Sequence, residues 1–195
     1  MSFRKHNDEG FTGLEAAIVL IAFVVVAAVF SYVVLGAGFF TTQKAQETVY
    51  KGVEQSTANI QMIGNLYGLS TDYTTPPGNI TSVKFSIGLA PGAPAIDLTG
   101  MKIVFSTPGS TTGPQILAQN NTIAASTTTF TTKINGADAT NSMNGNQQVE
   151  VYFLIPANTV HPNTKMNIEL RPSVGAALPF SKTAPPTIDA TNVLY

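Results

Sequence analysis

The chain has 195 residues, a formal net charge of −1, 11% charged side chains and no cysteine. Charge this sparse and balanced leaves no broad basic face for nucleic acid, and the lack of thiols excludes disulfides and thiolate metal sites. The length accommodates one leader, one long helix and one globular domain.

The first ten residues read as a leader, with Arg4 and Lys5 basic and Asp8, Glu9 and Gly10 preceding an apolar run. That run, Ala16 to Leu35, is broken only by the polar pair Ser31 and Tyr32, and the carboxylate of Glu15 stands at its start. About 20 apolar residues in helical form cross a bilayer core, and basic residues ahead of them place the N-terminus in the cytoplasm and the remainder outside. Beyond Leu35 the spacing of Ala45, Val49, Val53, Ile60, Ile63 and Tyr67 keeps one stripe on a helix surface. Lys44, Glu47, Lys51 and Glu54 fall three or four apart on another face and can pair. Together these features predict one helix over residues 11–67, about 85 Å long. Gly36 and Gly38 predict fraying or a bend at the junction, at about 1 kcal/mol each against Ala. A membrane anchor followed by a juxtamembrane helix is the simpler alternative.

Residues 68–79 hold Gly68, Pro76, Pro77 and Gly78 and predict a linker that ends the helix. The period then changes to two. Val83, Phe85, Ile87 and Leu89 alternate with Ser82, Lys84, Ser86 and Gly88, a half-buried strand. Pro91 to Pro94 turn the chain; Ile96 and Leu98 follow, and Met101, Ile103 and Phe105 resume after Gly100 shifts the phase. Further strands are predicted at 115–118, 127–134, 148–155, 165–170 and 176–180. The fold class is therefore α+β, a long N-terminal helix followed by an antiparallel, immunoglobulin-like β-sandwich over residues 80–195. Asp97 is read as a turn residue.

A secretory peptidase would cut beyond the apolar core, near Leu35 to Gly38; the other option is a cut between Gly10 and Phe11, which keeps the helix on the mature chain. The run Gly10, Phe11, Thr12, Gly13, Leu14, Glu15 resembles the processing site of type IV pilins and archaeal flagellins. The resemblance implies that a prepilin-type peptidase removes residues 1–10 and that Phe11 becomes the mature N-terminus. Glu15 is then the fifth residue and Gly13 the third, as the families have them. Glu9 departs from the pattern, since many archaeal flagellins carry a basic residue there. Physically, an ionised Glu beside an apolar helix is costly to desolvate, and cleavage creates a cationic amine on Phe11 that could pair with Glu15 of the next subunit. Leaving one member of such a pair alone costs about 3–5 kcal/mol, so pairing would make assembly conditional on processing.

The second half resembles archaeal flagellins specifically, through Leu89 to Leu98, Ile168 to Pro172, Gly175 to Leu178 and Thr183 to Pro186. Residues 109–146 carry no family signal and read as the outward-facing, variable surface. The resemblance implies a structural subunit of the archaeal flagellum filament, extracellular at the cell surface. Its partners would be copies of itself or sister subunits, the peptidase, the membrane before assembly, and the export platform and motor. Helices would form the filament core and sandwiches its outer wall. The rivals are an adhesive type IV-like pilin and a monomeric membrane-anchored binding module. Asn79 and Asn120 head N-glycosylation sequons. No catalytic arrangement, cofactor or metal is expected. His6 and His161 stand alone, and Asp138, Asn141, Asn144 and Asn146 read as a polar turn.

Overall fold

The computed structural model describes residues 8–71, 78–108, 110, 113–136 and 138–195. The chain divides into two compact units, Met1–Lys51 and Gly52–Tyr195.

Most of the first unit is helix. Helix α1 runs without interruption from Asp8 to Thr57. The fraying expected at Gly36 and Gly38 does not occur. The hydroxyls of Thr41 and Thr42 donate to the carbonyls of Ala37 and Phe39, at 2.8 and 2.9 Å, satisfying helix acceptors beside these glycines. Lys44 and Lys51 both reach Glu47 at 2.7 Å, the surface pairing the spacing predicts.

The helix stops ten residues earlier than predicted. The amide of Ala58 donates to Glu54 at 2.9 Å, and the hydroxyl of Thr57 donates back to Val53. Ala58 is then buried and the backbone turns extended. Ile60, Ile63 and Tyr67 belong to a strand, β1 (Ile60–Leu69), and not to the helix. Their spacing fits a helix only because β1 carries a bulge: Ile63 pairs with Ser86 but Tyr67 pairs with Lys84, so three residues face one. Gly64 takes the left-handed φ of 76° that this bulge requires. Burying Ile60 and Leu66 in the sheet core outweighs the helical periodicity, which had nothing to pack against. The expected linker 68–79 thus begins inside β1; its residues 72–77 lie outside the described residues.

The second unit is the predicted sandwich, formed by one long sheet that folds over on itself. After β1 come β2 (Ser82–Leu89), β3 (Ile96–Asp97), β4 (Lys102–Ser106), β5 (Gln115–Gln119) and β6 (Thr129–Ile134). There follow β7 (Asp138–Ala139), β8 (Ser142–Met143), β9 (Val149–Leu154), β10 (Lys165–Arg171), β11 (Leu178–Thr183) and β12 (Thr191–Leu194). The spatial order is β11-β10-β4-β5-β6-β9-β2-β1-β12, with β7 added to β6 and β3 paired to β8 apart. Neighbours are antiparallel except β5 and β6, which run parallel through Ala118↔Thr129 and Gln119↔Phe130. The ends of the order meet, since Thr183 and Tyr195 exchange backbone hydrogen bonds of 2.6 and 3.2 Å.

Alternation fills the interior. Val83, Phe85 and Ile87 meet Val149, Val151 and Phe153 from β9, and Phe130 from β6 joins them. Edge-to-face contacts join the walls: Phe85 to Phe180 at 5.6 Å and Phe105 to Phe153 at 6.0 Å. Residues 109–146 are not simply an outer surface. Their strands β5 and β6 sit mid-sheet, and Leu117, Phe130 and Thr132 are buried. Thr- and Asn-rich composition hid this because the buried polar groups satisfy one another. Thr132 donates its hydroxyl to the Thr140 carbonyl, and Asn121 spans Thr132 and Thr140 through its amide.

Candidate assembly site

The amino-terminal segment holds the residues that the sequence singles out. Gly10 and Phe11 lie within the first turns of α1, so the backbone is helical across the expected processing bond. Acidic Asp8 and Glu9 at this end favour the helix dipole. Gly13 and Glu15 follow on the same helix, both exposed. Glu15 borders a shallow groove along the helix with Ala16, Val19, Leu20, Phe23 and Val24. A second groove runs between Phe30, Ser31, Val34, Leu35, Gly38, Phe39 and Thr42. Gly38 has nothing near the position of a Cβ, so the backbone there is open to close approach. Ridges and grooves of this kind are what helices interdigitate when they pack.

From Gly13 to Thr57 every side chain is exposed except Glu47, which its two lysines half cover. The stretch is long and apolar enough to cross a membrane. Phe23 is 77% exposed and Tyr32 80%, a state water does not tolerate over so long a run. This surface must be covered by lipid or by protein. The expected amphipathic stripe at Ala45, Val49 and Val53 is likewise exposed.

The two sequons differ in geometry. Asn79 is half-buried: its amide donates to Asn158 at 3.1 Å and its carbonyl accepts from Ser70 at 2.6 Å. Asn120 instead makes a local turn, its side-chain oxygen accepting from the amides of Thr122 and Ile123 at 2.9 and 3.2 Å. Thr122, the sequon hydroxyl, is exposed. Elsewhere, Asp97 caps its turn. The amide and hydroxyl of Thr99 both donate to it, at 2.8 and 2.7 Å, and hold its carboxyl below the ordinary carboxylate value. His161 closes a turn with Thr164 through its backbone. Asn141 is a hub, accepting from Gln119 and Asn121 at 3.1 and 3.0 Å. The sequence did not single out this network, whose members lie far apart along the chain.

A long helix that buries nothing within its own chain, carried by a closed β-sandwich, defines the pilin-like class of filament subunits. The profile of the archaeal-type flagellin family matches residues 10–182. The chain is 39% identical over 203 aligned positions to "Probable flagellin 1" of Archaeoglobus fulgidus, covering 100% of this chain and 98% of that one. Among solved structures it resembles the archaeal flagellum of Methanospirillum hungatei strain JF1, at a TM-score of 0.70 and 31% identity over 94% of this chain and 99% of that one. Archaeal flagellin FlaB1 of Methanocaldococcus jannaschii shares the fold, at a TM-score of 0.58 and 15% identity over 70% of this chain and 96% of that one. This chain belongs to the archaeal-type flagellin family and is a structural subunit of the archaeal flagellum filament.

Proposed function

We propose that the chain is made as a membrane-inserted precursor, cut between Gly10 and Phe11 by a prepilin-type peptidase, and polymerised through α1 into a filament turned for swimming. The observation that carries this is the unbroken helix whose apolar side chains find no cover in their own chain. Before assembly the bilayer covers them, with the N-terminus cytoplasmic. After assembly the helices of neighbouring copies, or of sister subunits, replace the lipid. Both environments are apolar, so transfer gains little hydrophobic free energy, and close packing must hold the polymer. An export platform supplies the work of extraction and a motor the rotation; the subunit itself catalyses nothing.

Glu15 supplies register. Its carboxylate pairs with the new amine on Phe11 of an adjacent copy, an interaction that exists only after cleavage. Gly13 leaves the first mature turn free of a side chain beside it. Of the two sequons, Asn120 is the better acceptor for a glycan. Its amide nitrogen makes no hydrogen bond among the described residues, whereas that of Asn79 is engaged by Asn158.

Intact-mass measurement on filaments sheared from cells tests the reading. A subunit beginning at Phe11, with added mass on the peptide holding Asn120, is expected. A subunit beginning beyond Ala37 lacks the helix and refutes it. Glu15→Gln is expected to reduce filament yield by at least tenfold while cleavage continues, read by electron microscopy and mass.

A further inference from the structure

The sandwich has two outward walls, and each carries apolar side chains that its own fold leaves uncovered. On one wall Tyr67 of β1 stands opposite Val193 of β12, and Tyr195 lies just beyond. These side chains are 37%, 47% and 63% exposed. The nearest charges on this wall cancel: Lys84, opposite Tyr67 on β2, meets Glu150 at 2.8 Å. On the other wall Ile116 of β5 stands opposite Val104 of β4 and is 59% exposed. Beside Val104 is a shallow groove of about 350 Å³, lined also by Ser106, Asn167, Glu169 and Pro179. Here too the charge is internally matched, since Arg171 donates twice to Glu169 at 2.9 Å.

The two patches point in opposite directions. Phe85 on β2 meets Phe180 on β11, and Phe153 on β9 meets Phe105 on β4, so the β9-β2-β1 wall lies across the core from the β11-β10-β4 wall. This arrangement decides the kind of contact. A two-fold pair uses one self-complementary patch twice, whereas an open helical polymer needs two different patches on one subunit.

We propose that the Tyr67–Val193–Tyr195 patch of one copy docks on the Val104–Ile116 groove of the next, a head-to-tail contact between sandwiches in addition to helix packing. This rests on the filament reading, which names the occupant as a second copy. Strand β1 begins three residues after α1 ends, so the patch is continuous in the chain with the assembly helix. Copies joined through their helices present their sandwiches to one another at an effective concentration on the order of mM, where a small contact suffices. Tyrosines are the side chains such contacts favour, and docking two walls with internally matched charges buries no lone ion.

The absence of cysteine allows a direct test. The full chain carrying Val193→Cys and Ile116→Cys is produced in an archaeal host lacking its own subunit, and sheared filaments are treated with a short bis-maleimide. The double variant is expected to give a ladder extending past the dimer on a denaturing gel, and each single variant only monomer. Filaments that yield no ladder overturn the contact alone. Dimers from Val193→Cys alone also overturn it, by showing a two-fold pair. An unmodified chain that forms no filaments overturns the filament reading and this one with it. A second series guards against poor assembly of the cysteine variants. Val193→Lys and Ile116→Glu should each lower the temperature at which filaments dissociate, and the double variant should recover most of the loss; unchanged dissociation in both single variants overturns the contact.

Discussion

The helix and the sandwich put their apolar side chains to opposite uses. Val24, Phe30 and Leu35 in α1 are all more than half exposed, while Phe85, Phe130 and Phe153 in the sheet are sealed from solvent. The sandwich therefore carries its own source of stability. The helix does not: runs such as Val24, Val25 and Val26 are modest helix formers, and their order depends on what surrounds them. One region is finished at the level of a single chain, and the other only at the level of lipid or polymer.

Removing residues 1–51 separates the two most drastically. Filaments should vanish entirely, while the remaining unit, Gly52–Tyr195, stays strand-rich by circular dichroism and unfolds cooperatively on heating. Within that unit, Phe130→Ala should cost about 3–5 kcal/mol in urea unfolding, because it empties a position with no exposure. Phe23→Ala in the full chain should leave the same sandwich transition unmoved and act on filament yield instead. A shifted sandwich transition would erase the contrast between the regions.

Gly175→Ala comes next in size. Gly175 has φ 103°, and an added Cβ would collide with the carbonyl oxygen of Ala58, the residue that ends the helical hydrogen bonding. A loss of about 1–3 kcal/mol from the sandwich transition is expected. The smallest effect belongs to Asp97. Its carboxyl is held below the ordinary value by the Thr99 amide and hydroxyl, so the stability it contributes is present above the unfolded pKa and lost as pH falls through the folded one. Asp97→Asn should lower the melting temperature slightly at neutral pH and remove part of the acid dependence, measured by thermal scans across the acid range.

How much the sequence revealed also differed between the regions. The apolar run and the clean alternation of Val83 to Leu89 could be read directly, since each holds a single period throughout. Strand β1 could not. Its bulge at Gly64 inserts residues into the pairing, and the spacing of Ile60, Ile63 and Tyr67 becomes three and four. Strand β12 is only four residues long, too short for alternation to register, and its entry depends on Asn192 bonding Asp189 and Gly68. Strands β5 and β6 were located, but their central place was not. Buried Thr132 looks polar in sequence, and its partners lie eight and eleven residues away. At the amino terminus, Gly10, Phe11, Gly13 and Glu15 were legible as a motif because they are contiguous. The opposed patches on the sandwich were not, because Tyr67 and Val193 meet only in the folded sheet.

The backbone exchange between Thr183 and Tyr195 leaves the main sheet without an open margin. Unpaired strand margins recruit strands from other molecules, a hazard that grows with crowding. A protein destined to stand shoulder to shoulder with thousands of its own kind gains from such a seamless belt. Its neighbours can be met through side chains alone, and the main chain offers nothing on which an amyloid-like seed could grow.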